Sequence, residues 1–332
     1  MSSDSRSASD RRRGLVVAAG LFSLVLSLLL FEIGCQVYSL VFVKPRFEKM
    51  HRNALHYYRR AENPILGYEL RPNTALEIDD RTLRINRWGV REHHDDLAEG
   101  RRKIAILGDS VTFGISHSQE RTISALLQQE IDPDAKRVKV LNFGTPGYSI
   151  AEIAEFMRVK DAIYDVDAVI YLLNPNDFAR RNSIYEGADV GIYRSHNPPL
   201  LKSPWFLRKL VYRMHRKIGG ELYWYRWLFE GNEEIAQGHL NAMASYAAAS
   251  GIDFFVVLLP SGLAYENGGY ALSDMYERIA DLLRREQIPY LEPRKEIGAD
   301  PGGYINDSDH MHDAGNVLMS QIMARIVDER AW

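Results

Sequence analysis

Four short turns in this chain gather residue types that can carry out acyl-transfer chemistry. They are Gly108-Asp109-Ser110, Asn142-Phe-Gly-Thr-Pro-Gly147, Asn174-Pro-Asn176-Asp177, and Asp307-Ser-Asp-His310-Met-His312-Asp-Ala-Gly315. A serine hydroxyl is a weak nucleophile until a base removes its proton. Histidine suits that task because its pKa lies near neutrality. A carboxylate holds the imidazole in the working tautomer. N–H donors must then meet the oxyanion of the tetrahedral intermediate, and losing one costs roughly 10² to 10³ in rate. A glycine lets the backbone N–H approach a ligand with no side chain in the way. Taken singly, each has an ordinary structural explanation: Ser110 a turn serine, Gly147 a left-handed position, Asn176 a turn residue and His310 a solvated loop histidine. It is their joint occurrence at strand and helix ends that points to a site.

The elements around these turns follow from periodicity. Ile104 to Leu107, Val138 to Phe143, Ala168 to Leu173, Phe254 to Leu259 and Pro289 to Leu291 read as strands, and Ala168 to Leu173 is an unbroken apolar run of the buried parallel type. Helical spacing covers Thr122 to Glu130, Ile150 to Tyr164, Glu233 to Ala249, Leu272 to Arg285 and Asn316 to Asp328. Ser149 with Glu152 three residues on predicts a capping box. Strands alternating with helices predict a mostly parallel sheet of about five strands, covered on both faces. Ser110 then stands at the carboxyl end of a strand, where open α/β sheets place ligands.

The stretch GDSVTFG, residues 108 to 114, after a buried strand resembles the first signature block of the SGNH hydrolases, or GDSL-type esterases. The resemblance spans about residues 103 to 326 and implies a three-layer α/β/α sandwich of SGNH/flavodoxin-like type. It implies Ser110 as nucleophile, and Asp307 and His310 as the family's Asp-x-x-His. It further implies an oxyanion hole of the Ser110 amide, Gly147 and Asn176. No metal or organic cofactor is called for. Two positions have competitors. Asp309 and His312 form a second Asp-x-x-His; His310 is preferred because the family usually has a glycine five residues after the histidine, as Gly315 is here. Gly144 competes with Gly147. Asp177 either holds the oxyanion-hole turn or caps its own loop. No Gly-x-Ser-x-Gly elbow surrounds Ser110, which disfavours the α/β-hydrolases.

The chain has 332 residues and a net charge of −3, and nucleic acid is excluded as a partner for want of a basic face. The single cysteine, Cys35, lies outside the globular part. Residues 1–13 are polar and end in three arginines, and residues 14–43 are almost wholly apolar, enough to cross a bilayer. The reading is a cytoplasmic tail (1–13), a transmembrane anchor (14–43), a lead-in with a hairpin across Asp79-Asp80 (44–100), and an exported hydrolase domain (101–332). Against the anchor stand a cleaved signal peptide, which would want a shorter core, and a lipidation site at Cys35, which Glu32 fits poorly. The lead-in is expected to cover one sheet edge. Arg91, His93 and His94 border the cleft in one reading, though nothing in the sequence places them. An aromatic-rich insertion at about 180–232 shows no clear α/β pattern, and its readings are a lid, a sugar-stacking platform, a membrane-surface element, or a small core of its own.

These features predict a single-pass membrane protein whose extracytoplasmic domain hydrolyses small acyl esters, most plausibly O-acetyl groups on a carbohydrate. The substrate is then an acylated small molecule or polysaccharide, and the membrane is a partner through the N-terminal helix. The competing functions are an O-acyltransferase in polysaccharide modification, a lipid esterase or thioesterase, and a non-catalytic glycan-binding protein.

Overall fold

The computed structural model describes residues 3–45, 57–78, 81–178, 200–220, 222–266, 269–298, 301–307 and 309–332. The turn of the hairpin at 79–80 and the first part of the insertion, residues 179–199, lie outside them.

Five parallel strands form the central sheet: β5 (Arg102–Gly108), β6 (Val138–Gly144), β7 (Ala168–Leu173), β8 (Asp253–Leu258) and β11 (Tyr290–Leu291). Their order is β11-β8-β7-β5-β6. The chain places β6 on one side of β5 and then β7 on the other, so the strand order reverses at β5. That reversal opens a crevice at the carboxyl ends of β5 and β7, where open α/β sheets bind ligands. Gly108 pairs with Gly144, so the turns after β5 and β6 leave the sheet at the same level.

Alternation along each strand sorts side chains to two faces. Ile104 and Ile106 pack with Ile123 and Leu127 of α3 (Ile123–Ile131) and with Met319, Ile322 and Met323 of α11 (Asp313–Glu329). Ala105 and Leu107 pack on the opposite face, with α4 (Ile150–Tyr164), α7 (Glu233–Ser250) and α8 (Ser273–Arg285). All six residues of β7 are buried, as its uninterrupted apolar run requires. The α4 helix starts where the capping box predicts: Glu152 accepts the Ser149 N–H at 3.1 Å, and its carboxylate also meets the Ser149 hydroxyl. Such a cap is worth about 1 kcal/mol.

The lead-in contributes two antiparallel pairs, β1 (Tyr58–Arg60) with β2 (Tyr68–Leu70) and β3 (Thr74–Ile78) with β4 (Arg81–Ile85). It covers the β6 edge, as expected: Glu92 accepts the Asn142 N–H at 3.2 Å and pairs with Lys139 at 2.7 Å. An exposed edge would otherwise offer unpaired backbone groups to another chain.

At the N-terminus, α1 runs from Ser3 to Tyr38 and continues as a π-helical turn, Ser39–Val43. Within it, Arg13–Val43 is long and apolar enough to cross a membrane. The insertion is helical where described. It forms α5 (Ser203–Gly219) and α6 (Tyr223–Glu230), two elements that the sequence reading did not resolve. Among the described residues, the insertion's aromatics divide between two clusters. Tyr225 and Phe229 join the main core, and Trp205 is buried with Val43 of the N-terminal helix.

Candidate active site

The strand β5 ends at Gly108, and Asp109 caps a single helical turn, α2 (Ser110–Phe113), by accepting the Val111 N–H at 2.9 Å. This turn presents Ser110 at the carboxyl edge of the sheet. Two hundred residues later, the loop before α11 returns to the same place. His310 Nε2 lies 2.9 Å from Ser110 Oγ, and His310 Nδ1 lies 2.9 Å from Asp307 Oδ2. A carboxylate only accepts, so Nδ1 carries the hydrogen and Nε2 is left to accept from the serine hydroxyl. Asp307 Oδ1 also accepts the backbone N–H groups of Asp309 and His310, at 2.8 Å each, which shape the loop around the imidazole.

Electrostatics support that arrangement. Burial would raise the Asp307 pKa, but the His310 hydrogen bond and two backbone N–H groups outweigh it and hold this carboxyl well below the usual range. Burial would lower the His310 pKa, but the Asp307 hydrogen bond and charge, with Asp109 and Asp309 nearby, carry it above the ordinary value. A fixed negative charge beside the imidazole stabilises the imidazolium that forms when the serine proton is taken up.

The second Asp-x-x-His is not assembled. Asp309 is buried and accepts from the Tyr225 hydroxyl, while His312 is exposed at the N-cap of α11. Gly315 has a steric reason for its place. A Cβ there would stand 2.2 Å from the Tyr304 carbonyl oxygen, so only glycine lets α11 approach the loop that carries His310.

The two glycines after β6 also separate. The Gly144 N–H is already donated to Asn142 Oδ1 at 3.0 Å, and a Cβ at Gly144 would stand 2.1 Å from the Phe113 nitrogen. Gly144 therefore lets α2 sit against β6. Gly147 adopts φ +82° in the following turn. After β7, the turn Pro175–Phe178 holds Asn176 and Asp177. Asp177 Oδ2 accepts from the Tyr171 hydroxyl at 2.8 Å and from the Asn174 N–H at 2.9 Å, which anchors the Asn176 turn. Full burial, together with the Asp109 and Asp309 charges, pushes the Asp177 carboxyl well above the usual range. Among the described residues, Thr145 Oγ1, Asn174 Nδ2, Asn176 Oδ1 and Asp177 Oδ1 are buried without a protein partner. Unpaired buried polar atoms are rare, and these four concentrate at the turns after β6 and β7.

The turns that meet here are the motifs whose sequence resembles that of the SGNH hydrolases. No family model matches it, and no curated protein matches it. Among solved structures it is similar to a lipase/acylhydrolase from Enterococcus faecalis, at 15% identity and a TM-score of 0.44, covering 69% of this chain and 96% of that one. It is also similar to a member of the lipolytic G-D-S-L family from Veillonella parvula, at 14% identity and a TM-score of 0.42, covering 68% and 97%. A third is an acetylxylan esterase from Geobacillus stearothermophilus, at 12% identity and a TM-score of 0.41, covering 68% and 93%.

Two positioning residues have roles that the sequence does not specify. Arg91 is buried and donates to the carbonyl oxygens of Phe113 and Gly114, at 2.6 Å each, and of His117 at 2.8 Å. It closes the carboxyl end of α2, which carries Ser110. His117 bridges to Asp313 Oδ1 at 2.9 Å and to the Met311 carbonyl at 3.0 Å, joining the segment after Ser110 to the segment after His310. Arg91 closes the stretch Asn86 to Arg91, which resembles the lead-in of anchored SGNH proteins, and is one of the three residues read above as bordering the cleft; His117 sits in no motif, and only spatial proximity reveals it. His93 and His94 do not enter the site: His93 pairs with Glu120, and the His94 carbonyl accepts from Asn86.

Proposed function

We propose that this protein is a membrane-anchored serine esterase that cleaves small acyl esters through an acyl-enzyme on Ser110. The observation that carries the reading is the run of two 2.9 Å contacts, Asp307 to His310 to Ser110. His310 takes the hydroxyl proton as Ser110 Oγ attacks the ester carbonyl. The oxyanion is met by the Ser110 and Gly147 N–H groups and the Asn176 side chain. His310 then returns the proton to the leaving alkoxide. A water molecule, deprotonated by the same imidazole, releases the acid and restores the serine. Asp307 stays ionised throughout and stabilises the imidazolium. The helix Arg13–Val43 anchors the chain, with its arginine-rich end in the cytoplasm and the esterase domain on the far side. O-Acetyl groups on carbohydrate are the proposed substrate class, a reading that rests on the anchor, which would hold the domain beside surface polysaccharide.

The test uses the purified full-length chain and p-nitrophenyl acetate. Ser110→Ala is expected to lower turnover by about 10³-fold or more. Full turnover in that variant would overturn the assignment. Acetate release from acetylated glycans, measured with and without an acceptor sugar, separates hydrolysis from acyl transfer. A preference for long acyl chains would point instead to a lipid esterase.

A further inference from the structure

We propose that α5 lies in the headgroup layer of the bilayer crossed by α1, with its apolar stripe facing the lipid. This rests on the anchor reading above and adds a second membrane contact to it. The stripe consists of Leu207, Leu210, Val211, Met214 and Ile218, which are 48 to 84% exposed. Their spacing puts all five on one side of a helix with 3.6 residues per turn. Along the sequence, Arg208 falls on one flank of the stripe and Arg213 and Lys217 on the other. An apolar face bordered by basic residues is the pattern of a helix lying in a membrane interface.

The contact with α1 sets its depth. Glu32 accepts the backbone N–H groups of Lys202 and Ser203, at 2.7 and 2.8 Å, at the start of α5. Gln36 donates to the Leu200 carbonyl at 2.7 Å. Phe206 packs edge-on against Tyr38, with ring centroids 5.5 Å apart. A bilayer core takes about 20 residues of helix. Counted from Gly14, the turns from Glu32 onward therefore stand at the far headgroup level. A helix whose first turn is fixed at that depth, with apolar residues along one side and cations along its borders, fits a lipid surface. A second copy of the chain would leave the basic borders facing each other.

The surface helix is connected to the site. Only residues 220–222 separate α5 from α6, where Phe229 packs on Phe178 with centroids 5.1 Å apart and the Tyr225 hydroxyl donates to Asp309. The turns that hold Asn176 and His310 are thus tied to an element seated on lipid. The site is held at a set height above the membrane and favours esters carried near that surface.

The experiment uses the full chain with Cys35→Ser and one new cysteine, at Leu210, Met214 or Ile218, labelled with a polarity-sensitive fluorophore. Labels at Leu24 in α1 and at the exposed Lys136 serve as references. The protein is reconstituted in vesicles of phosphatidylcholine and phosphatidylglycerol, and each label is quenched by nitroxide lipid or by aqueous iodide. Nitroxide is expected to remove about half the emission at the three stripe positions, as a helix at headgroup depth requires, while Lys136 responds to iodide alone. Stripe labels open to iodide and insensitive to nitroxide, with Leu24 still quenched by nitroxide, would overturn the proposal and leave the anchor standing. Stripe labels shielded from both quenchers would mean a protein partner and overturn it equally. A Leu24 label insensitive to nitroxide would defeat the anchor and this proposal together.

Discussion

Arg91 Nη1 stands 2.6 Å from the Gly114 carbonyl oxygen and so ties the lead-in segment to the end of the helical turn that bears Ser110. Burial lowers this guanidinium to about 10, and the charge is met by carbonyl oxygens and by the face of Phe113, 4.8 Å from the ring centroid. Arg91→Ala would remove three hydrogen bonds to carbonyl oxygens and open a cavity, with an expected loss of about 2–4 kcal/mol in stability. Arg91→Lys is expected to recover little of it, because an ammonium cannot span all three acceptors. Denaturant unfolding of the two variants checks both statements.

The choice between the two histidines is testable by activity. His310→Ala is expected to reduce kcat/KM by about 10³-fold or more, whereas His312→Ala, exposed at a helix start, should stay within about threefold of the parent. The reverse result would move the base by two residues.

The pH profile follows from the sign of the His310 shift. The base works only when neutral, and its pKa is raised, so activity is lost as pH falls through a value above the ordinary 6.5. Asp307→Asn removes the charge that raises it. The acid limb should then move to lower pH, while kcat falls by about 10²- to 10⁴-fold through the wrong tautomer. Rates from pH 5 to 9 on both proteins decide it.

Gly144→Ala should cost more than an ordinary surface change. The added methyl meets the Phe113 backbone, which cannot rotate aside, and overpacking of this kind costs about 1–3 kcal/mol. The helical turn carrying Ser110 must shift, so activity is expected to fall more than the melting temperature alone would explain. Thermal unfolding and esterase assays on one preparation separate the two effects.

Asp177 predicts a stability trend. Its folded pKa is raised, so its contribution is fully present below the unfolded value near 4 and is lost as pH rises through the folded value. Asp177→Asn should flatten the decline in melting temperature between pH 5 and pH 9. An unchanged slope would mean that the carboxyl is ionised in the folded protein.

Much of this fold could be read from the residues. The six apolar residues of β7 have no polar interruption because both of its faces are covered, and α4 begins at the residue its capping box marks. The α11 helix starts at Asp313, three residues before the apolar pattern suggested, because His312 and Asp313 form its first polar turn. The α5 and α6 helices were harder to read. The α5 stripe has helical period but no counterpart in the domain core, so core patterning gives it no partner. The aromatics of α6 are spent on Phe178 and Asp309, contacts far off in sequence. The candidate site was legible as motifs, yet its supports were not. Arg91 acts through backbone carbonyls, and His117 through the Met311 carbonyl and an Asp313 carboxylate nearly two hundred positions away, contacts that leave no mark on sequence spacing.

The separation of 200 positions between Ser110 and His310 has a consequence for biogenesis. The central strands can pair while the end of the chain is still being made, but the imidazole arrives only with the final helix. Long-range contacts of this kind form late and slowly. On the proposed mechanism, a chain whose synthesis has not passed His310 has no base for Ser110 and is inert, so activity would be gained only with the last step of folding.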